Sequence, residues 1–323
     1  MSLQFTLGKP EGPAPVSETH DVIVIGSGPA GYTAALYTSR AHLDTLVIAG
    51  EAVGGQVATT WEVDNYPGFP EGLTGPELVE RLQKHSERFG ARLEMDQVTN
   101  VDLSQHPFRL VGYARTYFAR ALIVAVGASP RKLDVPGERR LTGRGVSYCG
   151  TCDGWFFQDK QVAVIGGGDS ALEEALFLTR FASKVTIIHR RDQLRAGPAL
   201  QSRVERNGKI GYLWNTVVEE ILGEKTVQSL CLRHVNTGEI TEFPVDGVFV
   251  FIGHIPNTDI FQGQLDTDEL GYIKTDQHRR TSVAGVWVAG EAGDPHYRQV
   301  ITSAGMGAMA AIEAQRWLDS LGD

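Results

Sequence analysis

The chain has little cysteine, no long apolar run and no excess of positive charge. Three cysteines in 323 residues are too few, and odd in number, for a secreted disulfide scaffold. They fit a reducing cytoplasm, where a thiol pair serves chemistry. No apolar run reaches the roughly 18 residues that cross a bilayer, so no membrane partner is expected. The formal net charge of −9 argues against nucleic acid or anionic lipid as the main partner. Met1–His20 holds Gly8, Pro10, Gly12, Pro13 and Pro15 but neither a basic start nor a continuous apolar stretch. It reads as a flexible arm rather than a signal peptide. No metal site is expected.

Glycine is abundant, at 37 residues, well above the usual share of roughly 7%. That excess suits several close approaches of backbone to phosphate. The hydrophobic share of 42% and the charged share of 21% are ordinary for a globular protein, and the length supports two cores.

Two segments organise the glycines. The strand-like run Val22–Ile25 leads into Gly26-Ser27-Gly28-Pro29-Ala30-Gly31 and an alanine-rich helix. The run Val162–Ile165 leads into Gly166-Gly167-Gly168-Asp169-Ser170-Ala171 and a second helix. A strand, a glycine turn and a helix together make a pyrophosphate cradle. The plainer alternatives are a turn without ligand and a relic second loop.

The next strand in each half separates the two sites. After the second loop, Val185–Ile188 ends at His189-Arg190-Arg191, with Arg195 four residues on. A plain NAD site has an acidic residue here, whereas basic residues favour the 2′-phosphate of NADPH. A solvated basic turn is the other reading. The first domain then needs a different dinucleotide, and FAD is the expectation. Its second strand, Leu46–Ala49, ends at Gly50-Glu51. Glu51 either accepts from the adenosine ribose or is a plain exposed glutamate.

Just before the second loop stands Cys149-Gly150-Thr151-Cys152-Asp153. A Cys-x-x-Cys closes and reopens a small disulfide ring and so carries two electrons. The Asp153 carboxyl can move the proton that this exchange requires. Cys231 is a spare thiol, expected as a small buried hydrophobe in a strand. His254 reads as structural rather than catalytic. Two further strand-like runs, Ala121–Gly127 and Gly285–Glu291, end in glycines placed to meet a cofactor. They indicate that the first domain resumes near the C-terminus. The C-terminal helix, Gln299 to Leu318, can aim its first N–H groups at an electron-rich ring edge.

The expected fold is therefore α/β, with two Rossmann-like (three-layer ββα) dinucleotide-binding domains. Residues 21–128 and 253–323 form the FAD domain. Residues 129–252 form an inserted NADPH domain that carries the cysteine pair.

The motifs also carry a family resemblance. They are Gly26 to Ala35, Gly54-Gly55-Gln56, Asn65-Tyr66-Pro67-Gly68, Leu73-Thr74-Gly75-Pro76, Cys149 to Gly154, Gly166 to Ala175, His189 to Ala196, Gly253-His254 with Pro256-Asn257-Thr258, and Tyr297-Arg298-Gln299 through Gly305. Over nearly its full length the chain resembles the low-molecular-weight (bacterial-type) thioredoxin reductases. The resemblance implies FAD around Gly26, Gly28, Pro29, Ala30, Gly31, Gln56, Asn65, Gly127, Gly290, Glu291, Arg298, Gln299 and Val300. It implies NADPH at Gly166, Gly168, Asp169 and Ser170, with His189, Arg190, Arg191 and Arg195 on its 2′-phosphate. It makes Cys152 the sulfur nearer the flavin, Cys149 the sulfur that exchanges with thioredoxin, and Asp153 the acid/base. It further implies a homodimer and rotation of the NADPH domain between half-reactions. The chain departs from the family pattern at Gly150 (usually alanine), Val126 (threonine), Glu291 (aspartate) and Leu194 (aromatic), and in its longer N-terminal arm. The rival readings are a reductase of another disulfide partner and a nucleotide-sensing regulator.

Overall fold

The computed structural model describes residues 18–50, 53–60, 63 and 65–322. The chain divides into two compact units. One holds the described residues up to Gly55, Val79–Gly127 and Asn257 onward; the other holds Gln56–Leu78 and Ala128–Pro256.

In chain order the elements begin with β1 (Thr19–Ile25), α1 (Pro29–Arg40), β2 (Thr45–Ile48) and α2 (Gly75–Glu87). Four strands follow: β3 (Arg92–Glu94), β4 (Val98–Asp102), β5 (Phe108–Gly112) and β6 (Thr116–Val124). Then come β7 (Ala128–Pro130), α3 (Glu138–Leu141), β8 (Val146–Ser147), α4 (Gly150–Asp153), β9 (Gln161–Ile165) and α5 (Asp169–Leu178). The chain continues with β10 (Lys184–Ile188), α6 (Pro198–Glu205), β11 (Ile210–Leu213), β12 (Thr216–Leu222), β13 (Ser229–His234), β14 (Ile240–Pro244) and β15 (Gly247–Val250). It closes with β16 (His254–Pro256), β17 (Val286–Val288) and α7 (Val300–Leu321).

In the first unit the strand order is β3-β2-β1-β6-β5-β4, with β17 also paired to β6. The nine-residue β6 serves two neighbours in turn. Its N-terminal half pairs antiparallel with β5, and Leu122–Val124 pair in parallel with β17. Side chains alternate across the pleat. Val22 and Val24 pack with Ala30, Ala34 and Ala35 of α1 and with Ala310, Ala311 and Ala314 of α7. Ile23 and Ile25 face the other way, toward Leu110, Phe261 and Ile273. Alanine and glycine let α1 and α7 approach closely. A Cβ at Gly307 would stand 2.2 Å from the Ala30 carbonyl oxygen.

The second unit has a parallel sheet of order β11-β10-β9-β15-β8. Its central strands β9, β10 and β15 are almost wholly buried, as strands covered on both faces must be. A three-stranded antiparallel sheet, β12-β13-β14, stands beside it. β7 and β16, at the start and the end of the second unit's Ala128–Pro256 segment, pair antiparallel.

Candidate active site

The first glycine loop follows β1 directly. Gly26 adopts φ +111°, and a Cβ there would fall 2.3 Å from the Ala125 carbonyl oxygen. A Cβ on Gly31 would fall 1.9 Å from the Gly26 carbonyl oxygen. Both positions therefore demand glycine. Gly28 differs, because its open side meets nothing nearer than the Gly54 carbonyl at 3.9 Å. It caps α1 without a side-chain hydrogen bond, and Pro29 takes the first helical position. The first-turn N–H groups thus lie beside open space that a pyrophosphate can fill. Ser27 braces the loop: its hydroxyl donates to the Ala49 carbonyl (2.9 Å) and accepts from the Gly54 N–H (3.1 Å).

The other expected FAD residues divide between the units. Gly127 (φ +67°) and Gly290 (φ +72°) belong to the first. A Cβ on Gly290 would press on Ala30 Cβ at 3.1 Å, so this glycine lets its turn reach α1. Glu291 follows it, half-buried. Asp294 orders the next loop by accepting the N–H groups of His296 (3.0 Å) and Tyr297 (3.1 Å). That loop ends with Arg298 at φ +49° and Gln299 as the N-cap of α7, closed by a reciprocal box with Thr302. Val300 is the first helical residue. Gln56 and Asn65 fall with the second unit, where Gln56 Nε2 donates to the Ala128 carbonyl. Glu51 lies outside the described residues.

The second loop repeats the path of the first. Gly166 has φ +149°, and a Cβ would lie 2.4 Å from the Phe251 carbonyl oxygen. Gly168 caps α5 and has open space on its outer side. Asp169 and Ser170 open the helix, exposed. The Asp169 carboxylate accepts the Gly197 N–H (2.8 Å), and the Gly167 carbonyl accepts the Arg195 N–H (2.7 Å). These bonds strap residues 195–197 to the loop. Arg190, Arg191 and Arg195 are exposed.

His189 sits differently from its basic neighbours. It is 5% exposed, and a Cβ on Gly167 would lie 2.5 Å from its ring. Its Nε2 has no hydrogen-bond partner among the described residues. Burial pushes its pKa down; a backbone hydrogen bond at Gln193 opposes this, and the nearby arginines lower it further. His189 is a buried support under the loop, and its burial disfavours the protonated form.

Cys149 and Cys152 form a disulfide, with Cα atoms 5.3 Å apart. Cys149 is the N-cap of α4, and its sulfur accepts the Cys152 N–H at 3.2 Å. Ser147 holds the approach: its Oγ accepts the Cys149 N–H (3.0 Å) and donates to the Cys149 carbonyl (3.1 Å). Burial pushes the Asp153 carboxyl pKa up, and a hydrogen bond with the Ser147 side chain opposes it. The turn rests on α5 through two glycines. A Cβ on Gly154 would touch Leu178, Phe181 and Phe177 at 3.2–3.4 Å. A Cβ on Gly150 would lie 2.2 Å from Glu174 Oε2. The space that an alanine would fill between the cysteines holds a glutamate carboxylate here. Sequence reasoning did not single out Glu174 or Ser147, since each acts through a tertiary contact. Cys231 is the free thiol, on β13, half-buried rather than fully enclosed.

The profile of the pyridine nucleotide-disulphide oxidoreductase family matches residues 20–307. The chain is 50% identical over 311 residues to a thioredoxin reductase of Streptomyces coelicolor, covering 95% of this chain and 97% of that protein. It is 52% identical over 302 residues to a bifunctional thioredoxin reductase/thioredoxin of Mycobacterium leprae, covering 93% of this chain and 66% of that one. The crystal structure of thioredoxin reductase from Streptococcus pyogenes superposes with TM-score 0.90 at 41% identity, covering 94% of this chain and 99% of that one. A strand–glycine–helix cradle in each unit, a disulfide beside the second cradle and these likenesses agree: the chain belongs to the pyridine nucleotide-disulphide oxidoreductases and, within them, to the thioredoxin reductases.

Proposed function

We propose that this oxidoreductase passes electrons from NADPH, through FAD, to its Cys149–Cys152 pair and on to the disulfide of thioredoxin. The observation that carries the reading is the Cys-x-x-Cys disulfide built into the same unit as the arginine-flanked glycine loop. FAD and NADPH are the cofactors that family membership implies. The open outer sides of Gly28 and Gly168 fit a pyrophosphate at each loop. Gly26, Gly28, Pro29, Ala30, Gly31, Gly127, Gly290, Glu291, Arg298, Gln299 and Val300 would hold FAD, and the family resemblance adds Gln56 and Asn65 to that set. Gly166, Gly168, Asp169, Ser170, Arg190, Arg191 and Arg195 would hold NADPH, and His189 would support the loop beneath it. When bound, FAD supplies the two-electron step between a nicotinamide and a disulfide.

The residues of the chain carry the exchange. The Cys152 N–H that points at Cys149 favours negative charge on the Cys149 sulfur. A Cys149 thiolate attacks one sulfur of the thioredoxin disulfide and displaces the other as a thiolate, which takes up a proton. Cys152 then loses its proton to the Asp153 carboxylate and attacks the Cys149 sulfur. This re-forms the internal disulfide and releases the second thioredoxin thiolate, which takes the proton back from Asp153. A carboxyl with a raised pKa is suited to holding a proton near neutral pH.

The disulfide and the NADPH loop share one unit and the FAD loop belongs to the other. We therefore infer that the units rotate about β7 and β16 between half-reactions. X-ray scattering with and without NADPH tests the rotation, and an unchanged profile counts against it. A homodimer is proposed from the family resemblance and is checked by sedimentation. A cytoplasmic location follows from the redox chemistry and is checked by cell fractionation.

Cys149→Ser and Cys152→Ser test the central claim. Each should abolish NADPH-dependent thioredoxin reduction while leaving flavin content and anaerobic bleaching by NADPH intact. Substantial thioredoxin turnover in either variant would sink the relay.

A further inference from the structure

We propose that Tyr148 and Glu138 are positioning residues for the redox turn and hold it ready to close its disulfide. The inference rests on reading Cys149 and Cys152 as the pair that cycles.

The sheet stops guiding the chain just before the cysteines. β8 pairs with β15 through Val146 and Ser147, and the pairing ends there. Beyond Ser147, side chains set the path. Ser147 Oγ bonds to both the N–H and the carbonyl of Cys149. Tyr148 is anchored separately: its phenol O–H donates to Glu138 Oε1 at 2.8 Å. Burial and that facing carboxylate push the Tyr148 pKa up, so the phenol keeps its proton and stays the donor. Tyr148 is half-buried and packs against the cluster that holds Leu141, Val146 and Ile221.

Glu138 is a fixed partner. It is 2% exposed, and its carboxylate also accepts the N–H groups of Leu133 (2.9 Å) and Asp134 (2.8 Å). Asp134 has φ +57°, a conformation that few residues other than glycine adopt unsupported. The helix that bears Glu138, α3, is seated on β12. A Cβ on Gly137 would lie 1.9 Å from the Ile221 carbonyl oxygen, and the Ile221 N–H donates to the Pro136 carbonyl (2.9 Å). One buried carboxylate thus ties the entry of the redox turn to residues 133–134 and, through α3, to β12.

The consequence is for the redox equilibrium. Reduction takes up two electrons and two protons and opens the disulfide ring to a dithiol. The open form gains conformational freedom, and an anchored turn gains less of it. Each thiol then stays at a high effective concentration beside the other, which favours ring closure. The anchor therefore lowers the potential of the pair and makes the dithiol the stronger donor.

The experiment equilibrates the intact holoenzyme anaerobically with dithiothreitol buffers and counts Cys149 and Cys152 thiols by alkylation and peptide mass. Tyr148→Phe removes only the anchoring hydroxyl. It should shift the equilibrium toward the dithiol by roughly three- to tenfold, a potential about 15–30 mV higher. Glu138→Gln should shift it in the same direction. The two changes together should shift it no further than the larger single change, because both break the same bond. If Glu138→Gln does not fold, Tyr148→Phe alone decides. Arg140→Ala is the control. Arg140 lies on the same helix but donates to the Gly223 and Glu224 carbonyls, so its loss should leave the potential unchanged. A Tyr148→Phe protein with the native potential would overturn the anchor. So would an equal shift in Arg140→Ala, or additive shifts from Tyr148→Phe and Glu138→Gln. Each of these results leaves the redox pair standing. A native disulfide that no dithiothreitol buffer opens would overturn the redox reading as well.

Discussion

The two glycine loops follow the same backbone path and differ in what lies beneath and beside them. Under the first, Ser27 reaches across to Ala49 and Gly54, so the loop is stitched by a small hydroxyl to neighbouring backbone. Under the second, the imidazole of His189 fills the space below Gly167, and residues 195–197 are strapped to the loop from the side. One cradle is tied to backbone alone and the other carries a basic rim. The comparison teaches that the cradle fixes where a pyrophosphate sits. The residues after the next strand then decide which nucleotide it belongs to.

Removing the basic rim should have the largest effect. Arg190→Ala with Arg191→Ala should lower kcat/KM for NADPH by about a hundredfold or more, because each charge-assisted bond is worth roughly 1.5–3 kcal/mol. NADH turnover should change far less. Equal losses with both nucleotides would erase the difference between the loops.

The next contrast is steric. Gly31→Ala forces a Cβ against the Gly26 carbonyl and should cost about 1–3 kcal/mol, read as a fall in melting temperature and in retained flavin. Gly168→Ala meets open space at an ordinary φ of −95° and should leave the melting temperature unchanged. Equal destabilisation by the two would show that the loops are packed alike.

His189 gives a smaller, pH-dependent signal. Its folded pKa is depressed below the ordinary 6.5, so the unfolded chain binds the proton first as pH falls. The stabilisation is present above pH 6.5 and is lost as pH falls through the folded value. His189→Gln should flatten that part of the stability profile in denaturant titrations. An unchanged slope would mean that the imidazole is not buried neutral.

Cys231→Ser should do least. The thiol lies on β13, in the three-stranded sheet, and is no part of the disulfide. Turnover with thioredoxin should stay within experimental error of the native enzyme. A marked loss would show a second redox thiol.

Much of this is legible in the sequence. The buried runs Val22–Ile25 and Val162–Ile165, each followed by glycines and a helix-forming stretch, specify strand, turn and helix through local backbone chemistry alone. The Cys-x-x-Cys spacing allows a short-range disulfide, and the pair forms one. Local pattern also places the basic cluster after β10. It does not distinguish His189 from Arg190 and Arg191, since adjacent residues in extended chain point to opposite sides and burial differs between them. It gives no sign that Glu174 would occupy the space beside Gly150, because the two residues meet only when α4 packs on α5. The sequence by itself determined the two cradles and the redox pair, since each depends on neighbours in the chain. The tertiary structure decided which member of the basic cluster is buried and which carboxylate fills the space at the cysteine turn. Those outcomes depend on desolvation and contact between segments far apart in sequence, which no local pattern encodes.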